Sequence, residues 1–252
     1  MDIFLEEAGS IRTIEAASTL LQTTFPSSPT IETALNLALK SHKDQFRKSG
    51  EPYIVHPILV ASIVAYLGGD EPMVIAAILH DVVEDTEISI DEIENLFGKD
   101  VAHLVDGLTK IVQIREENLI PSSEINKKLL QSALTFQKIL IASIKDIRVL
   151  VIKLCDRVHN MLTLDSLPPI KQKRIAEETL VVYAPIAHRL GISKIKNILE
   201  NKSFYYIFPQ EYENIATYLS DNEQSIRLKL NTFASKIVDL LRSNNISDES
   251  FE

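Results

Sequence analysis

A single cysteine, Cys155, excludes an internal disulfide and a cysteine zinc cluster in this chain of 252 residues. Tryptophan is absent and glycine occupies only 7 positions. Beside long apolar-polar periodic stretches, this scarcity argues for a mostly helical protein. No apolar run approaches the roughly 18 residues of a membrane-spanning helix. The N-terminus, MDIFLEEAGS, lacks the basic region of a secretory signal. A cytoplasmic location is the expectation. Basic residues are the minority charge, 26 against 35 acidic, for a net −9. That balance argues against a broad interface with a nucleic-acid backbone, though a local basic pocket for a small anion remains open. What is present is apolar material, 45% of the chain. It suffices for one large domain, or one domain with a helical extension.

Residues 1 to 25 carry one amphipathic helical pattern, interrupted at Pro26-Ser27-Ser28-Pro29. Thr30 is the expected N-cap of the next helix, which would turn Ile31, Leu35, Ala38, Leu39, His42 and Phe46 inward. Turn formers from Arg47 to Pro52 make a loop. His56-Pro57 then opens a helix that Gly68-Gly69-Asp70 breaks, and Pro72 starts an apolar helix ending in His80-Asp81. Asp91 to Phe97 reads as a short helix closed by Gly98, followed by another from Asp100 to about Ile111. Residues 113 to 124 read as a polar connection. Val149 to Ile152 would pass as a buried strand on composition. The repeat Val151, Leu154, Val158, Met161, Leu162 favours helix instead. Pro168-Pro169 starts a further helix, and Gly191 stops the one containing Pro185. The predicted fold class is all-α.

The densest chemistry lies in His80-Asp81-Val82-Val83-Glu84-Asp85, behind the apolar run Met73 to Leu79. Ionisable groups at the end of a core helix must be hydrated, paired or coordinated, because unpaired buried charge is costly. His56, His80, Asp81 and Asp156 offer two imidazoles and two carboxylates from three segments. Mixed nitrogen and oxygen ligation with open positions suits a first-row divalent ion, Mn²⁺ better than a closed structural zinc. Glu84 and Asp85 follow the dyad by four residues, one turn on, where they could orient or deprotonate an attacking water. Asp156, Asn160 and Thr163 fall on one helix face, placing an amide and a hydroxyl where a ribose or base edge could be read. Arg47 and Lys48 could meet a nucleobase and phosphates. Each residue alone has a blander reading: a packed histidine, a solvated helix end, a solvated loop. His42, His103 and His188 read as structural, and His159 as packing or as a support to the ligands. Only the joint arrangement favours a metal site.

These residues resemble the hydrolase domain of the RelA/SpoT alarmone enzymes, a branch of the HD superfamily. The resemblance rests on RKSGEPYIVHP (47–57), AAILHDVVEDT (76–86), FGKDVAHLVDGLTK (97–110), DIRVLVIKLCDRVHNMLTL (146–164) and YAPIAHRLGI (183–192). It implies an HD-type helical bundle over residues 1–200 and a helical connector over 201–252, leading toward a synthetase domain. It further implies Mn²⁺-dependent removal of the 3′-pyrophosphate from ppGpp and pppGpp, giving GDP or GTP. By position, the metal ligands fall on His56, His80, Asp81 and Asp156, and the acidic pair serving the water on Glu84 and Asp85. Substrate contacts fall on Arg47, Lys48, Ser49, Asn160 and Thr163, with Arg174 as a phosphate contact.

The chain departs from the family pattern at Ser132, Leu134 and Thr135, and at Leu162, where an arginine is common. None of these is a metal ligand. No synthetase motif follows the connector, so hydrolysis without synthesis is expected of this chain, with a synthetase domain in cis if it is part of a longer protein. Rival readings are an HD phosphohydrolase for another nucleotide, such as a 2′-phosphate dinucleotide, and a catalytically silent alarmone-binding module.

Overall fold

The computed structural model describes residues 3–113 and 146–244. Among them every regular element is helical, apart from an isolated antiparallel bridge between Phe46 and Pro52. The chain divides after Ile207 into two compact units, each described on its own.

The first unit opens with α1 (Ile3–Ser10) and α2 (Ile14–Thr24). The single N-terminal pattern is thus two helices. Side chains end the first of them: Ser10 Oγ donates to the Glu7 carbonyl, and Arg12 Nη1 to those of Gly9 and Ile11. Thr13 then caps α2 by accepting from Ala16 N. The next helix, α3 (Pro29–Ser41), is capped by Ser28 rather than Thr30. Pro29 needs no amide partner in a first turn, which leaves Ser28 Oγ to accept from Ile31 N. Because α3 stops at Ser41, Phe46 lies beyond it and is exposed, as is Leu39.

The core centres on α4 (Val55–Tyr66) and α5 (Glu71–Leu79). Every residue from Val55 to Ala65, and from Met73 to Leu79, is buried. A helix apolar on all faces has no solvent side and must be enclosed. Accordingly α4 packs against α2, α5 and α8 (Ile147–Leu162). Asp70 starts α5 by accepting from Met73 N at 3.0 Å, a cap worth about 1 kcal/mol. The His80-Asp81 dyad forms the turn between α5 and the four-residue α6 (Val82–Asp85). The helix does not run straight through the dyad.

Helix α7 (Ile90–Gln113) comprises two segments meeting at Gly98, whose φ of 85° is a left-handed value that glycine adopts at little cost. After α8 come α9 (Pro169–Glu178), a widened π-type turn over Thr179–Tyr183, α10 (Ala184–Arg189) and α11 (Ser193–Ile207). Helix α11 runs through residue 200, so the compact unit extends to Ile207. The second unit contains α12 (Pro209–Asp221) and α13 (Glu223–Ser243), neither with a buried residue. No described helix is long and apolar enough to cross a membrane. Ser132, Leu134, Thr135 and the polar connection expected after residue 113 lie outside the described residues.

Candidate metal centre and its cleft

Three elements deliver the converging groups. The first turn of α4 carries His56, the α5–α6 turn carries His80 and Asp81, and the middle of α8 carries Asp156. His56 Nε2 lies 3.2 Å from Asp156 Oδ1 and 4.0 Å from Asp81 Oδ2. His80 Nε2 lies 3.0 Å from Asp81 Oδ2 and 4.0 Å from Asp156 Oδ1. One donor atom each from His56, His80 and Asp81 fits within a span of 4.8 Å. His56, His80 and Asp156 are buried, and Asp81 is half-buried.

The donor set suits a divalent cation, as His80 shows. Its Nδ1 lies 2.8 Å from the Ala77 carbonyl, which can only accept, so Nδ1 carries the proton. Nε2 is then left buried without a hydrogen-bond partner, close to Asp81 but not aligned with it for a hydrogen bond. A lone pair turned toward two carboxylates needs a cation or a proton between them. The electrostatics agree. Burial opposes charge on His80, yet Asp81 and Asp156 outweigh it and push its pKa up to about 9. His56 goes the other way, lowered to about 4 by burial and by Arg47 despite Asp156. Burial would raise both carboxylates. His80 instead holds Asp81 well below the usual range, and Lys153 with the two imidazoles does the same for Asp156.

Further groups hold these four in place. Tyr53 donates its hydroxyl to Asp81 Oδ2 at 2.6 Å, and Lys153 Nζ pairs with Asp156 Oδ2 at 2.5 Å. Asn160 Nδ2 donates to Asp156 Oδ1 at 2.6 Å, and its own oxygen accepts from Arg47 Nη2 at 3.0 Å. Arg47 also reaches Thr163 Oγ1 at 3.3 Å. The expected substrate contacts Arg47, Asn160 and Thr163 are therefore one connected network that ends on Asp156.

The centre opens into a cleft of about 560 Å³. Among its lining residues are the acidic and imidazole groups His56, Asp81, Glu84 and Asp156, and the basic side chains Arg47, Lys48, Lys153, Arg157 and Arg174. Lys48 and Arg174 are exposed, and Lys171 is held below the usual lysine range by Lys48 and Arg174, so positive charge gathers at that rim. Glu84 and Asp85 both sit on α6 and are exposed, but only Glu84 lines the cleft. Burial and the neighbouring Asp81 raise the pKa of each. Ser49 does not line the cleft, and its hydroxyl donates to Glu51 Oε1 at 2.7 Å. Leu162, the departure on α8, packs where Gly9 of α1 comes so close that a Cβ on Gly9 would sit 2.9 Å from Leu162 Cβ.

Sequence reasoning did not assign Tyr53, Lys153, Arg157, Glu178 or Tyr183. Arg157 is buried, lies 3.9 Å over the Tyr183 ring, and donates to Glu178 Oε2 at 3.2 Å. Lys153 stands three residues before Asp156, a helical spacing that marks it as a neighbour. The other four come together only through packing between helices.

An all-helical bundle with a His-Asp dyad at the end of a buried core helix is the architecture of an HD domain. The HD domain family model matches residues 34–193, and the chain belongs to that family. It is 45% identical, over 87% of its length, to a probable guanosine-3′,5′-bis(diphosphate) 3′-pyrophosphohydrolase of Synechocystis, covering 27% of that protein. It is 44% identical over 80% of its length to the bifunctional (p)ppGpp synthase/hydrolase SpoT of Escherichia coli, covering 28% of it. A GTP pyrophosphokinase of Myxococcus xanthus is 43% identical over 84% of the chain, which covers 27% of it. The chain thus spans about a quarter of the length of these relatives.

Proposed function

We propose that this chain is a metal-dependent hydrolase that removes the 3′-pyrophosphate from guanosine 3′,5′-bis(diphosphate) and its 5′-triphosphate counterpart. The products would be GDP or GTP and pyrophosphate, released in the cytoplasm. The observation that carries this reading is the unpartnered Nε2 of His80, close to Asp81 and Asp156, two carboxylates that line a cleft with exposed Lys48 and Arg174. The relatives' names divide between hydrolysis and synthesis, and the residues assembled in this cleft favour hydrolysis.

His56, His80, Asp81 and Asp156 would hold the ion, which we take to be Mn²⁺ because the set mixes imidazole with carboxylate. Such an ion supplies acidified water and offsets phosphate charge. The protein's own side chains do the rest. Glu84, exposed to the cleft with a raised pKa, takes a proton from the attacking water. Asp85, next along α6, supports that carboxylate or a water beside it. Lys48 and Arg174 meet phosphates at the rim, and Arg47, Asn160 and Thr163 meet the guanosine side. Because both ends of the Asn160 amide are engaged, the base must share or displace the Arg47 bond. Ser49 supports the loop through Glu51 and would reach the substrate only if that bond opens. In a longer protein, residues from 208 onward would connect to a synthetase domain in cis.

The test is product analysis of ppGpp incubated with the purified chain, with Mn²⁺ and then with a chelator. GDP and pyrophosphate formed only with metal is the expected result. Intact ppGpp under both conditions would sink the reading and turn attention to another nucleotide or to binding without turnover.

A further inference from the structure

His159 is buried on α8 and does not line the cleft, yet its ring stands 4.9 Å from that of His56. The two Nδ1 atoms are 2.8 Å apart, a hydrogen-bond distance that requires one proton between them. If His159 supplied it, the neutral His56 would carry its proton on Nε2 and have no lone pair to turn toward Asp81 and Asp156. If His56 supplies it, Nε2 is free as a donor to a metal, and His159 carries its own proton on Nε2. That atom is buried with no partner in either tautomer, so it does not decide between them, and the lone pair that a cation needs on His56 Nε2 does.

We propose that His159 is the positioning residue for His56: its Nδ1 accepts the Nδ1 proton of His56, fixing the ring and tautomer that present Nε2 to a divalent cation. The inference rests on the metal reading given above. His80 achieves the same end through the Ala77 carbonyl, so the two imidazoles are oriented by different acceptors, one backbone and one side chain. A neutral acceptor beside His56 adds no further negative charge to a centre that already contains Asp81 and Asp156. Metal-ligating histidines generally need such an acceptor on the other ring nitrogen.

The test is a Mn²⁺ titration of the whole chain by calorimetry, with free Mn²⁺ followed by its paramagnetic signal, in wild type and in His159→Asn, His159→Gln and His159→Ala. Asparagine places an oxygen at the branch position held by Nδ1, whereas glutamine extends past it. Mn²⁺ affinity should fall roughly 10–100-fold in the alanine and glutamine variants and recover largely in the asparagine variant. Thermal midpoints report whether each variant is folded. Should alanine fail to fold, the asparagine–glutamine contrast carries the test alone. Equal affinity in those two variants would overturn the role of His159 and leave the metal centre standing. A wild type that binds no Mn²⁺ or other divalent ion would bring down the metal reading itself, and this inference with it.

Discussion

The two ends of the cleft are built on opposite principles. At the closed end, His56, His80 and Asp156 are only 3–5% exposed, and their positions are fixed by neighbours. Tyr53 holds Asp81, Lys153 and Asn160 hold Asp156, and Ala77 and His159 hold the imidazoles. At the open end, Glu84, Lys48 and Arg174 are exposed on a short helix, a loop and an exposed helix face. Buried polar groups must be satisfied by the fold, whereas exposed ones can exchange water for ligand at little cost. The closed end is therefore arranged before any ligand arrives, and the open end can adjust to what arrives.

This contrast is sharpest at Asp81. Replacing it with alanine should remove metal-dependent turnover altogether while leaving the helical circular dichroism near that of wild type. Retained turnover would take Asp81 out of the ligand set and weaken the division between the two ends. Glu84 is the counterpart at the open end. Glu84→Gln should lower turnover by about 10²–10⁴-fold with metal affinity unchanged, since its work is on a proton. Its pKa is raised, by burial first and by Asp81 and Asp85 next. A base must be ionised to act, so the wild-type rate should fall as pH drops through a value above that of an ordinary glutamate. The glutamine variant should lack that limb. Metal affinity lost together with turnover, and turnover restored by excess Mn²⁺, would instead make Glu84 a ligand. The smallest effect is expected at Tyr53, whose hydroxyl reaches the centre through Asp81. Tyr53→Phe removes one hydroxyl and should weaken Mn²⁺ binding by about tenfold, the low end for a group supporting a ligand. A titration showing no change would mean that Asp81 is positioned by its backbone alone.

Much of the fold was legible because its signals are local. The apolar runs of α4 and α5, the proline starts and the glycine at 98 each act within a few residues. Where expectation failed, a short-range competitor had won. Arg12 and Ser10 closed α1 with side-chain bonds, and Ser28 was the better placed cap beside Pro29. The four ionisable groups of the closed end could be suspected from sequence, because such groups stand out against an apolar helix. Part of their support was legible too: Lys153 and Asn160 stand one turn from Asp156 on the same helix, and His159 already reads as packing or a support. Tyr53 was not legible, because only folding brings it within 2.6 Å of Asp81, and neither was the meeting of His159 with His56 at 2.8 Å.

The sequence by itself thus determined an all-helical chain, two enclosed helices at its centre, and a His-Asp dyad at the end of one of them. Periodicity, capping and residue chemistry act over one or two turns and survive in the order of the letters. Only the tertiary structure decided that Tyr53 holds Asp81, that His159 meets His56, and that Arg47 reaches Asn160. Those outcomes depend on side chains far apart in the chain meeting within about 3 Å, a distance that only packing between helices can set.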